Sequence, residues 1–145
     1  MFQTLKIIAL LFLLSIGYCK AEDGSKRLYK GTVGNRTITL YLRVEPNQCG
    51  ATDIVYGIYK YGNSDSWILL DIQKNTKNNY ALTEVGFTGV LIIKETKDGF
   101  SGIWISPDAT KQLPIKLTEQ APLSTKEKEK LDKELDDTNY QYYDC

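Results

Sequence analysis

The stretch YKGTVGNRTITLYLRV, residues 29–44, reads as a tight β-hairpin. Arg27 to Val33 forms a first strand, and Gly34-Asn35 is a two-residue loop of the kind that tight hairpins use. From Arg36 to Val44 the pattern alternates. Ile38, Leu40, Leu42 and Val44 fall on one face, and Thr37, Thr39, Tyr41 and Arg43 on the other. A period of two places one row in a core and the other in solvent.

Working outward, the same grammar repeats. The loop EPNQCGAT carries Cys49, and a strand follows at Ile54–Tyr61. GNSDS separates it from a strand at Trp67–Gln73, and KNTKNN precedes one at Tyr80–Glu84. A turn near Val85-Gly86 leads to a strand at Thr88–Thr96. Lys97-Asp98-Gly99 then carries the Asp-Gly signal of a type I′ hairpin. The last two strands are Phe100–Ile105 and Lys111–Leu117, the latter interrupted by Pro114, which predicts an edge or a bulge there. Eight short strands in close succession predict an all-β antiparallel meander. Curling shut removes its edges, so an eight-stranded up-and-down barrel is the expected fold, with an open sandwich as the alternative.

The ends differ from the middle. Residues 1–21 have a basic Lys6 and an apolar run from Ile7 to Ile16 broken only by Ser15, with small residues before a cut after Ala21. This is the pattern of a signal peptide. The run is shorter than the ~20 residues that span a bilayer. Tyr18 before Cys19 fits lipidation poorly, so anchoring at Cys19 is not expected; a cut after Cys19 is a second solution. The expected location is exported, periplasmic or extracellular. The domain layout is then 1–21 signal peptide, 22–120 barrel, and 121–145 helix and tail. In that tail Ser124 and Glu127 have capping-box spacing. A helix is expected to about Asp136, with Leu131 and Leu135 as one i,i+4 apolar pair and a solvated Lys/Glu face. Asp136 and Asp137 would end it, where the helix dipole disfavours negative charge.

Removing 21 of the 145 residues also removes Lys6 and Lys20, so 18 basic residues become 16 against 18 acidic, a net charge of −2. No basic surplus drives nucleic-acid binding. The same cut removes Cys19 and leaves Cys49 and Cys145, an even pair that suggests one disulfide in an oxidising compartment. In a meander, loops alternate between the two ends. The loop with Cys49 and the exit of the eighth strand share one end. A Cys49–Cys145 bridge is therefore expected, with Tyr140, Tyr142 and Tyr143 packed over or beside that end.

The chain contains no histidine, the commonest general base and metal ligand. No phosphate-binding glycine loop is present, and neither NTKNN nor GNSDS matches a calcium loop. No cofactor or metal is expected. Asp53, Asp71, Glu84 and Glu95 lie in or beside strands and read as outward-facing solvating groups. Tyr56, Tyr59, Tyr61, Trp67 and Trp104 are either barrel filling or contact residues.

Two stretches carry a resemblance: the opening YKGTVGNRTITLYL and the closing FSGIWISPDATKQLPIKL. With Tyr29, Gly31, Val33 and Gly34, then Gly102, Trp104, Ser106 and Pro107, the chain resembles small exported bacterial proteins of largely uncharacterised function. The resemblance implies an avidin- or lipocalin-like meander and no activity.

With one end taken by the tail, the other is the expected mouth, rimmed by Asn35, Asn63, Asp65, Trp67, Gly86, Phe87 and Asp108. The function expected first is a non-catalytic exported protein that docks another protein, as an inhibitor or immunity-type factor does. The second is a barrel that binds a small molecule in its interior. A carboxylate-dependent hydrolase ranks last.

Overall fold

The computed structural model describes residues 24–143. The proposed signal peptide and Cys145 lie outside the described residues. Eight strands follow in order: β1 (Lys26–Val33), β2 (Arg36–Glu45), β3 (Ile54–Tyr61), β4 (Ile68–Lys74), β5 (Asn79–Glu84), β6 (Val90–Thr96), β7 (Gly99–Ile105) and β8 (Gln112–Glu119). A helix, α1 (Thr125–Tyr143), is the last described element. Each strand pairs antiparallel with the next, and β8 returns to β1, so the meander is a closed barrel and not a sandwich. Closure runs from Tyr29 opposite Glu119 to Val33 opposite Ile115.

The interior is built by the period-two rows. Leu40, Tyr59, Leu82 and Leu91 meet at its centre with no solvent exposure, and Val33, Ile93 and Leu117 close around them. At each such position an apolar side chain leaves water, a gain of roughly 1.5–3 kcal/mol apiece. Where strands bend sharply, side chains must vanish. A Cβ on Gly31 would sit 1.9 Å from the Lys116 carbonyl oxygen, so only glycine lets β1 approach β8 this closely.

The turns follow local chemistry, with one correction. Gly34 takes φ +59 at the first position of its two-residue loop, which glycine tolerates. The β6–β7 loop is Lys97-Asp98, because Thr96 pairs with Gly99. Neither loop residue has the positive φ that a type I′ turn needs, so the Asp-Gly signal sits one residue out of step.

Pro114 lies in neither an edge strand nor a bulge. It pairs with Ile103 on β7, and its carbonyl accepts the Gly34 N–H at 2.8 Å. The nitrogen of a strand residue points the same way as its carbonyl, here past the end of the β1–β8 ladder. No ladder bond is lost.

The helix lies on the barrel wall. Leu135 packs on Tyr41, Ile58 and Leu69, with Leu28, Trp67, Leu123 and Leu131 around them. The outer row of β2 is therefore not a solvent row: Tyr41 is fully buried. The capping box forms as expected, with Ser124 N–H donating to Glu127 at 2.8 Å and Glu127 N–H to Ser124 Oγ at 3.3 Å. The helix runs past Asp136 to Tyr143, with Asp136 paired to the barrel and Asp137 to the helix itself. Arg43 bonds Asp136 at 3.1 Å, and Lys133 pairs with Asp137. Tyr140, Tyr142 and Tyr143 remain exposed. They cover no barrel end.

Candidate binding site at the seam between β3 and β4

The end that carries the β1–β2, β3–β4, β5–β6 and β7–β8 turns is filled. Glu84 follows Tyr80 and Leu82 on the inward row of β5 and is buried, contrary to its expected outward role. Three donors satisfy it. Tyr59 Oη donates to Oε1 at 2.5 Å and Trp104 Nε1 to the same oxygen at 2.8 Å, while Thr88 Oγ1 donates to Oε2 at 2.5 Å. Bonds to a carboxylate are strong enough to offset its loss of water. Burial and the Glu84 bond both push the Tyr59 phenol far above its ordinary pKa. The Tyr61 hydroxyl stands 3.3 Å from that of Tyr59, and the Arg36 guanidinium lies 5.0 Å from the Tyr61 ring centre.

Of the residues expected to rim a mouth, Asn63, Asp65 and Trp67 come together with Lys60, Leu123 and Leu131 around a groove of about 670 Å³ between the barrel and the helix side. Asn35, Asn63, Asp65 and Gly86 are exposed turn residues. Phe87 is exposed at φ +54 in the β5–β6 turn. Asp108 braces its own turn, accepting from Ser106 Oγ at 2.6 Å and Thr110 Oγ1 at 2.9 Å. The Ser106 bond, then the Thr110 bonds, hold its pKa down to about 2. Trp67 turns away to the helix-covered wall, with Lys60 Nζ 4.8 Å from its ring centre. The expectation of a mouth here depends on a tail that covers the opposite end. Among the described residues α1 lies on the wall and does not cover that end.

There the barrel wall parts. The β3–β4 ladder holds only three pairs, Gly57 to Tyr59 against Leu70 to Ile68. Below it, Ile54–Tyr56 remain bonded to β2, and Asp71–Lys74 to β5, but the two segments do not pair with each other. A cleft of about 830 Å³ fills the gap, lined by Val44, Ile54, Val55, Ile72, Lys74 and Tyr80 among others. An inner recess of about 190 Å³ continues from it to Tyr29 and Phe100. Tyr29 and Tyr80 pack on Phe100 with ring centres 4.9 and 5.2 Å away, which gives the recess an aromatic floor.

Charges of both signs surround this opening. Asp53 and Lys74 line cleft and recess alike, and Arg27 and Glu95 line the recess. Lys74 Nζ lies 5.1 Å from the Tyr80 ring centre, a cation–π distance. The Tyr80 hydroxyl raises the Lys74 pKa, burial opposes it less strongly, and the charges of Glu95 and Asp53 add to the rise. Arg27 pairs with Glu119 at 3.7 Å. Burial, followed by the Glu119 charge, pushes the Tyr29 phenol up to about 12. Asp71 stands outside on β4, where the Tyr143 hydroxyl donates to it at 3.1 Å.

Cys49 is exposed on the loop that leads into β3 and makes no disulfide among the described residues. Among the described residues, no group of three or more acids or cysteines is placed to hold a metal ion. No described helix is long and apolar enough to cross a membrane. The chain matches no family model, no curated protein and no solved structure.

Proposed function

We propose that this chain is a non-catalytic exported binding protein that docks another protein, as an inhibitor or immunity-type factor does, and that the seam between β3 and β4 receives it. One observation carries the reading: the barrel is packed solid through its centre, while its wall opens into a cleft with mixed charge and exposed apolar lips. Ile54 and Tyr56 on the β3 lip are 42 % and 36 % exposed. Apolar side chains left in water beside a concave opening are characteristic of contact surfaces. The export pattern of residues 1–21 and the resemblance to small exported β-proteins support the location. The test is capture of one stoichiometric partner from a periplasmic extract. Ile54→Arg should abolish capture and Phe87→Ala should leave it intact; the reverse pattern would move the site to the filled end.

A small-molecule reading rests on the cleft volume, which falls in the usual range for ligand sites. Such a ligand would sit at the seam, because the barrel centre has no room. A retained ligand in native mass spectrometry would favour this alternative.

The Cys49–Cys145 bridge is part of the same proposal. The described helix ends at Tyr143, two residues before Cys145, with its hydroxyl on β4. Both thiols should resist alkylation in unreduced protein and react after reduction. Alkylation of both before reduction would refute the bridge.

A further inference from the structure

The lips of the seam are two strand edges that face each other, and closed barrels ordinarily have none. The alternation of hydrogen bonds shows which groups are free. Leu69 C=O accepts Val85 N–H and Asn75 N–H bonds Asn79 C=O, so the odd-numbered residues of β4 face β5. Ile72 and Lys74 therefore turn their main-chain N–H and C=O toward the seam. On β3, Gly62 N–H bonds Thr37 C=O, so even-numbered residues face β2 and Val55 faces the seam. Among the described residues, no strand or side chain pairs with these groups across the gap. Neither lip carries a proline or a bulge that would protect it, and the only lysine on the two lips is Lys74.

The geometry points to an extended peptide segment of a partner protein as the occupant, inserted as an additional strand between β3 and β4; this rests on the protein-docking reading above. A strand there would bond Val55 on one side and Ile72 and Lys74 on the other, the recognition mode of strand addition. Its side chains would alternate. An inward residue would meet Val44, Val55, Ile72 and Tyr80, and must be apolar. Charge complementarity places a basic residue beside Asp53 and an acidic one beside Lys74. The barrel would then have nine strands, without a seam.

The test uses ten-residue peptides of alternating apolar and charged residues, displayed on phage and selected on the full chain. The readout is residue-resolved amide exchange. In the peptide-free chain, the amides of Val55, Ile72 and Lys74 should exchange readily. With a selected peptide at about ten times its Kd, they should slow about tenfold, while outward-bonded neighbours stay unchanged. Peptides that bind and protect other amides would overturn strand insertion but leave protein docking standing. Failure to select any peptide would also overturn strand insertion, and the Ile54→Arg capture experiment then judges docking separately. Protection already present in the dilute peptide-free chain would assign the seam to a segment of this chain, and protection that grows with protein concentration would assign it to a second copy. Either result would overturn the partner strand.

Discussion

At the scale of single residues, Glu84 shows how a charge can be placed inside a β-barrel. Its two oxygens receive bonds from a phenol, an indole and a hydroxyl, and Gly89 packs so near that a Cβ there would meet Trp104 Nε1 at 2.3 Å. Removing the acceptor orphans buried donors, at about 1–3 kcal/mol for each. Glu84→Ala should therefore lower the urea midpoint of unfolding by the equivalent of about 3 kcal/mol. Tyr59→Phe, which deletes one bond to a charged group, should cost about 2 kcal/mol. Equal, negligible effects of both would show that the network contributes nothing to stability. The inward position of Glu84 was legible in the sequence, since Tyr80 and Leu82 share its parity. General exposure of carboxylates argued the other way. The donors decide the matter, and they come from β3, β7 and the β5–β6 turn, which no local pattern brings together.

At the scale of elements, the strands were legible almost to the residue, because one row of each is apolar and turn residues punctuate them. The helix was legible at its start and not at its end. It continues past Asp136 with that acid bonded to Arg43, a residue on a strand some ninety positions away in sequence. Asp132 is the centre of the attachment, accepting from Lys26 at 2.6 Å, Tyr41 at 2.8 Å and Arg43 at 3.4 Å. Burial opposes its charge, but these three partners outweigh burial and hold its pKa below the ordinary carboxylate value. A depressed carboxylate stabilises above its unfolded pKa, about 4, and that contribution is lost as pH falls through the folded value. Docking of α1 should thus be flat between about pH 5 and 8 and weaken only below about pH 4. The helical circular-dichroism signal should follow that profile, and in Asp132→Asn tryptic cleavage within α1 should be faster already at neutral pH. A transition near neutrality would exclude this clamp as the attachment.

For the whole molecule, closure of the meander was legible and the seam was not. Strands at 54–61 and 68–74 look long enough to pair fully, and the sequence marks no fault between them. Their parting is a property of the assembled wall. Ile72 leans over the missing side chain of Gly57, where a Cβ would lie 2.7 Å from Ile72 Cδ1 and 2.8 Å from Leu42 Cδ2. The seam proposed as the site differs from the expected mouth for a related reason. Loop parity correctly names the turns that share an end, but where the helix rests depends on the apolar patch of Tyr41, Ile58 and Leu69. That patch reads in sequence as outward positions of three separate strands.

The glycine that lets β1 reach β8 has a consequence in time. Pairing of residues 29–33 with 115–119 joins the two ends of the meander, the contact of greatest chain separation in the sheet. Loop-closure entropy makes such a contact late in folding, after the local hairpins have formed. Gly31→Ala would push a methyl group against the Lys116 carbonyl at that joint. It should therefore leave the refolding arm of a chevron plot nearly unchanged and raise the unfolding rate. A slowed refolding arm would place barrel closure before the rate-limiting barrier. On the expected order, Gly31 acts as a latch: it has little influence on how fast the barrel forms and strong influence on how long it stays shut.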